Sequence, residues 1–302
     1  MNTASFTAEQ QHYRMQIASE FRTRFLLNLD AIQGPFSLSL SGGVDSLMVL
    51  YGLLSLNMPP TECITFKLKN YLSPDLIAST EVCKKLNLKL VVVEIPDDVQ
   101  TIYQDCQNII WLIRSPLKTH VQSCWPYKYM LPKMSTKQLV AGTWSGYFLT
   151  MEKKANINAK NMKADEFKKW YHDYRKEEWY KTGHSFVSMK KYIESFGVKF
   201  IEPYYDNELM ELALKLDYYD WNFNPDGTCK HKYLQYMMFK DWFDKIGVWR
   251  RQSSMQIVNG IRTAHEQMLK IPSMNIKKHK DLRGLYGTIL NSHYQLIANE
   301  TI

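Results

Sequence analysis

Apolar positions in the first half of the chain switch repeatedly between helical and strand-like spacing. Residues 8–30 set Met15, Ile17, Phe21, Phe25 and Leu26 on roughly one stripe, which predicts an amphipathic helix that ends at Gly34-Pro35. Residues 36–40 (FSLSL) read as a short strand, and Leu47 to Leu56 as an apolar helix closed by Asn57-Met58-Pro59-Pro60. Residues 61–68 read as a second strand. Pro74 opens a helix to about Leu86, with Asp75 placed favourably near the positive end of its dipole. Residues 88–95 (LKLVVVEI) form the clearest strand, β-branched and bounded by Asn87 and Pro96. A helix over 99–112, a break at Pro116 and a strand over 138–141 complete the series.

This alternation predicts an α/β fold, a parallel sheet of about five strands flanked by helices. In such sheets ligands bind beyond the carboxyl ends of the strands. After residue 150 the strand signal nearly vanishes and the chain becomes helix-rich, lysine-rich and aromatic. We therefore expect a nucleotide-binding α/β domain over residues 1–150 and a mainly helical, basic, acceptor-binding region over 151–302.

Composition narrows the picture. The 302 residues are 45% hydrophobic and 23% charged, the balance of a globular protein, which excludes wholesale disorder. Of the 38 basic and 30 acidic groups, residues 1–150 hold 13 and 11, so the +8 net charge lies mostly in the second half. A basic half attracts polyanions, although many such surpluses are only solvated surface. No apolar run approaches the ~20 residues that span a bilayer, and the N-terminus lacks the apolar core of a secretory signal. Five widely spaced cysteines form no C-x-x-C pair. The expectation is a cytoplasmic protein without a membrane partner, whose thiols are packing residues.

The densest chemical signal is Ser41-Gly42-Gly43-Val44-Asp45-Ser46, directly after a strand and directly before a helix. Two glycines allow a tight turn that presents backbone N–H groups to an anion, and the helix aims its positive end at the same point. Ser41 and Ser46 add hydroxyl donors. Asp45 would repel a bare phosphate, so its presence points to a bridging Mg²⁺. The segment is neither G-x-x-x-x-G-K-[ST] nor G-x-G-x-x-G, which disfavours kinase-like and dinucleotide readings.

Residues 41–46 resemble the pyrophosphate loop of the ATP pyrophosphatases, a HUP-like superfamily that cleaves ATP to AMP and pyrophosphate. Further segments resemble the synthetase domain of asparagine synthetase: Ser73-Pro74-Asp75-Leu76 through Val82, Ile64 to Leu68, Glu202-Pro203-Tyr204-Tyr205-Asp206 with the apolar helix after it, and Lys232-Tyr233-Leu234 with Trp249-Arg250. The resemblance runs from about residue 15 to residue 262. It implies ATP and Mg²⁺ as cofactors, with Ser41, Gly42, Gly43, Asp45 and Ser46 on the phosphates and Asp45 on the metal. It implies that Leu40, Leu68 and Gly142 border adenine. Lys232 and Arg251 are the expected catalytic cations, stabilising pyrophosphate as it leaves. The implied enzyme is a ligase that adenylates an acceptor oxygen for attack by ammonia or an amine.

Three departures qualify the branch. Residue 2 is Asn2 and the phosphate loop begins at residue 41, so a cysteine-dependent glutaminase is not expected and ammonia or an amine must come from a separate source. The acidic loop of the family is replaced by Ala141-Gly142-Thr143-Trp144-Ser145-Gly146-Tyr147, which cannot bind an α-amino group by charge but suits stacking on a flat ring. Gln252 stands at the family's lysine position, with Arg251 beside it. The acceptor is therefore a small molecule or a nucleobase. Two alternatives remain: an ATP pyrophosphatase that modifies tRNA or DNA held by the basic half, and a catalytically altered nucleotide-binding protein. Residues 167–199 interleave aromatic and basic side chains, which suits either base stacking or an aromatic core with snorkelling lysines.

Overall fold

The computed structural model describes residues 6–146, 152–180, 184–226, 228, 230, 232–249, 254–270 and 280–300. Helix α1 (Ala8–Asp30) starts at a capping box in which Thr7 and Gln10 satisfy each other's backbone N–H groups. Strand β1 (Ser37–Ser39), α2 (Val44–Ser55), β2 (Glu62–Leu68), α3 (Pro74–Lys85), β3 (Leu90–Ile95), α4 (Val99–Ile113) and α5 (Lys118–Met130) follow, then β4 (Gln138–Ala141). Next come α6 (Glu152–Asn161), α7 (Ala164–Tyr180), α8 (Ser185–Glu194) and β5 (Lys199–Ile201). The chain closes with α9 (Asn207–Leu214), α10 (Tyr218–Asn222), α11 (Tyr233–Met238), α12 (Lys240–Ile246), α13 (Met255–Val258), α14 (Ile261–Gln267) and α15 (Leu282–Glu300).

The strands form one parallel sheet in the order β3-β2-β1-β4-β5, flanked by helices, and the C-terminal half is mainly helical, as the alternation predicts. Between β2 and β3 the parallel register pairs Cys63 with Leu90 and Leu68 with Ile95. The chain partitions into two compact units, each drawn from three segments. Unit 1 comprises residues 1–60, 140–181 and 201–251, and unit 2 comprises 61–139, 182–200 and 252–302.

In unit 1 the buried stripe of α1 runs through Arg14, Ile17, Ala18, Phe21, Phe25 and Leu29. Met15, expected on that stripe, is 58% exposed, because the true period places Arg14 inward instead. Phe25 stacks on Tyr204 with centroids 4.6 Å apart, and Arg24 clamps Asp206, the N-cap of α9, through two hydrogen bonds of 3.0 and 2.7 Å. The aromatic segment after residue 164 is largely core: Phe167, Tyr171 and Tyr218 pack together, and Trp179 is buried.

In unit 2, α5 had no counterpart in the hydrophobic pattern, since it carries Pro126 in its interior. An interior proline removes a backbone bond and costs about 3 kcal/mol. Burial of Trp125, Pro126 and Tyr127 offsets this, together with the buried carboxylate of Asp105, which accepts from Trp125 Nε1 at 2.8 Å, from Tyr129 at 2.6 Å and from Lys128. β5 was missed because three residues are too few to show a period. Cys63, Cys83, Cys106 and Cys124 are all buried free thiols. Among the described residues no helix is long and apolar enough to cross a membrane.

Candidate phosphate-binding site

The site grows from the β1–α2 junction in unit 1. Gly42 has φ of 65°, the left-handed region that glycine enters without steric cost, and this reverses the chain directly before α2. Gly43 is the N-cap of α2, with no side chain to bond the first amides. The turn is held by its own hydroxyls. Ser46 Oγ donates to Gly43 O at 3.0 Å and accepts from Ser41 N at 3.2 Å, while Ser41 Oγ accepts from Gly43 N at 3.2 Å and lies 3.1 Å from Ser46 Oγ. Nearby Leu40 is buried.

Asp45, in the first turn of α2, is held from three directions. Lys232 Nζ lies 2.6 Å from both carboxylate oxygens, and Gln235 Nε2 donates to Oδ1 at 3.0 Å. Tyr204 donates its hydroxyl to the Asp45 main-chain oxygen at 3.0 Å. Burial first, and the Asp45 charge second, hold the Tyr204 phenol well above its ordinary pKa, so it remains a donor. Lys232 has a side chain 6% exposed and a left-handed backbone, φ 61°, at the N-cap of α11. That conformation costs a non-glycine residue about 1–2 kcal/mol, and its persistence marks a position that the surroundings dictate.

Gly142 follows β4 and packs its Cα against the loop. A Cβ there would lie 2.8 Å from Asp45 C and O and 2.9 Å from Ser46 N, so only glycine admits this approach. Thr143 Oγ1 and Trp144 Nε1 both donate to Glu202 Oε1 at 2.8 Å. Trp144 is buried, with Tyr205 at 4.6 Å and Trp179 at 5.5 Å between centroids. Its ring is a packing element rather than the open stacking face expected for this loop.

The structure thus gathers Ser41, Gly42, Gly43, Asp45, Ser46, Gly142 and Lys232 in one unit. Leu68, at the end of β2, belongs to unit 2, where it packs beneath Gly260. Arg251, Gln252 and Tyr147 lie outside the described residues. Sequence reasoning assigned no role to Tyr204, Gln235 or Glu202. The E-P-Y-Y-D segment was the available signal for Tyr204 and Glu202, and helical spacing from Lys232 was the signal for Gln235.

Among the described residues no group of three or more His, Cys, Asp or Glu converges as metal ligands would. A cavity of about 200 Å³ lies elsewhere in unit 1, lined by Phe167, Tyr171 and Arg175 of α7 and by Leu216 to Tyr219. Arg175 is buried there and caps the end of α9 by donating to Ala213 O and Leu216 O at 2.7 and 2.9 Å.

No family model matches the chain, and no curated protein matches it. Among solved structures it is similar to the U34-tRNA thiolase NcsA from Methanococcus maripaludis with its 4Fe–4S cluster, at 12% identity over 97% of this chain and 84% of that one. The TM-score is 0.32, a likeness too low to carry an argument.

Proposed function

We propose that the chain is an ATP-dependent enzyme that binds ATP against residues 41–46, transfers AMP to an acceptor oxygen and releases pyrophosphate. The observation that carries this reading is the position of Lys232. A buried ammonium, 187 residues away in sequence, is delivered to the acidic residue of a glycine loop that opens a helix. Loop amides, a helix N-terminus, two hydroxyls and a cation form a site suited to a polyphosphate.

In this reaction an acceptor oxygen, carboxylate or carbonyl, attacks the α-phosphorus. The bond to the bridging oxygen breaks, and pyrophosphate leaves with the electron pair. Lys232 stabilises the charge that develops there, the step where a fixed cation contributes most. Arg251 is proposed as the second cation. Ammonia or an amine then displaces AMP from the activated acceptor. Residues 1–150 hold the nucleotide in this reading, and 151–302 supply Lys232 and the acceptor surface.

The residues fit Mg²⁺. Asp45 offers one carboxylate, 23% exposed, and Mg²⁺ is commonly held by one or two carboxylates together with substrate phosphates. Held there, the ion would supply further neutralisation of the phosphate charge.

The acceptor is a small-molecule carboxylate or the carbonyl of a nucleobase. The net positive charge of residues 151–302 supports a second reading, in which tRNA or DNA presents the base. AMP formation and ATP/pyrophosphate exchange, measured with amino acids, peptides, tRNA and DNA as acceptors, test the proposal. Acceptor-dependent AMP is expected with one class. Stimulation by tRNA that falls steeply with salt would assign the nucleic-acid branch. Tight ATP binding without AMP in every acceptor class would overturn the enzymatic reading and leave a nucleotide-binding protein.

A further inference from the structure

Asp45 Oδ1 is bonded twice, by the charged Lys232 and by the uncharged Gln235. The two donors are three residues apart, at the start of α11, and so reach the same side. Gln235 is 1% exposed, and its Oε1 is buried with no hydrogen-bond partner among the described residues. An orphaned buried acceptor is destabilising, so the amide is poorly explained by stability alone.

We propose that Gln235 is a positioning residue that keeps Asp45 aimed when Lys232 exchanges its carboxylate partner for phosphate. This rests on the ATP-binding reading above. An ammonium bonded to both Asp45 oxygens has one donor left, so it cannot serve phosphate oxygens fully without loosening its grip on Asp45. ATP binding therefore removes the charge-assisted bonds that fix the carboxylate, at the moment when the carboxylate is needed to hold Mg²⁺. A neutral amide is not drawn to the phosphate, and a side chain this buried has no room to swing. Tyr204 on the main-chain oxygen and Gly142 against the same peptide fix the backbone of Asp45 but not its carboxylate. Gln235 alone among these contacts holds the carboxylate and carries no charge to be diverted.

Calorimetric titration of ATP into the full chain, once with MgCl₂ and once with EDTA, tests this with Gln235→Met, a near-isostere that cannot donate. The expected result is about a tenfold weaker affinity with Mg²⁺ and a change of less than about twofold in EDTA, where Asp45 has no metal to hold. Equal losses in both buffers would mean a merely structural role, and unchanged affinity with Mg²⁺ would mean none. Either result overturns the proposal while leaving ATP binding intact. Should Gln235→Met fail to fold, Gln235→Asn keeps the amide but withdraws it by one methylene, and the same split between buffers is expected. A wild-type chain that binds ATP in neither buffer would remove the parent reading and this inference together.

Discussion

Two residues of the candidate site, Lys232 and Gly142, each make a separable prediction. Lys232→Met keeps the length of the side chain and removes its charge. AMP formation should fall at least about 100-fold, the scale on which a preorganised charge acts in a transition state. Asp45 is 23% exposed and keeps Gln235 as a partner, so stability should fall by no more than about 2 kcal/mol. Activity assays and urea unfolding of the same sample separate the two effects. Gly142→Ala tests the loop from the opposite side. The added methyl meets backbone atoms of Asp45 and Ser46 at under 3 Å, and neither can rotate away. The expected cost is about 1–3 kcal/mol of overpacking, with ATP affinity falling alongside it. A variant as stable and as tight-binding as wild type would show that Gly142 does not gauge this distance.

At the scale of elements, α5 shows how a helix overrides its own composition. Pro126 opposes it, yet Trp125, Lys128 and Tyr129 turn one end of the helix onto Asp105 of α4. Asp105→Ala would strand the buried Trp125 N–H and the Tyr129 hydroxyl together, so a loss of about 2–4 kcal/mol is expected in chemical unfolding. A loss below about 1 kcal/mol would show that packing alone holds α5. The same pattern of a buried polar hub recurs where α14 and α15 meet α4. His265 Nδ1 lies 2.6 Å from the Tyr286 hydroxyl and 3.6 Å from Cys106 Sγ, and Trp125 sits edge-on to the ring at 4.7 Å. Burial raises the Cys106 thiol far above its ordinary pKa, so a cysteine beside a histidine is here a packing group and not a nucleophile.

At the scale of the whole molecule, one buried group in each unit ties stability to pH, and the two act with opposite sign. Burial lowers His265 to about 3, against about 6.5 unfolded. The unfolded state thus binds the extra proton first, and unit 2 loses stability as pH falls below about 6.5. In unit 1, burial and then the neighbouring charge of Asp217 raise Asp220 to about 7, against about 3.9 unfolded. There the unfolded state releases its proton first, and stability is lost as pH rises between about 4 and 7. Hydrogen exchange, corrected for the intrinsic rate, should show α14 and α15 opening more at pH 5 than at pH 7.5, and α10 the reverse. His265→Gln and Asp220→Asn should each flatten the response of their own unit only. Parallel responses in both units would refute the assignment.

Much of this architecture was legible in the residues. Spacings of two and of about 3.6 are local, so β2, β3 and the helix between them could be read directly, and Gly42-Gly43 marked a tight turn between strand and helix. What local spacing cannot reveal is which distant side chain arrives at a given point. Lys232 meets Asp45 across 187 residues, and Gln235, Tyr204 and Glu202 acquire their roles only because packing brings them there. Trp144 reversed its expected role for the same reason, since Trp179 and Tyr205 closed around it. Local spacing was enough for the longer strands and most of the helices that flank them, and it marked the Gly42-Gly43 turn, but not for α5 or β5. The tertiary structure decided the convergence, because burial and charge pairing depend on neighbours in space.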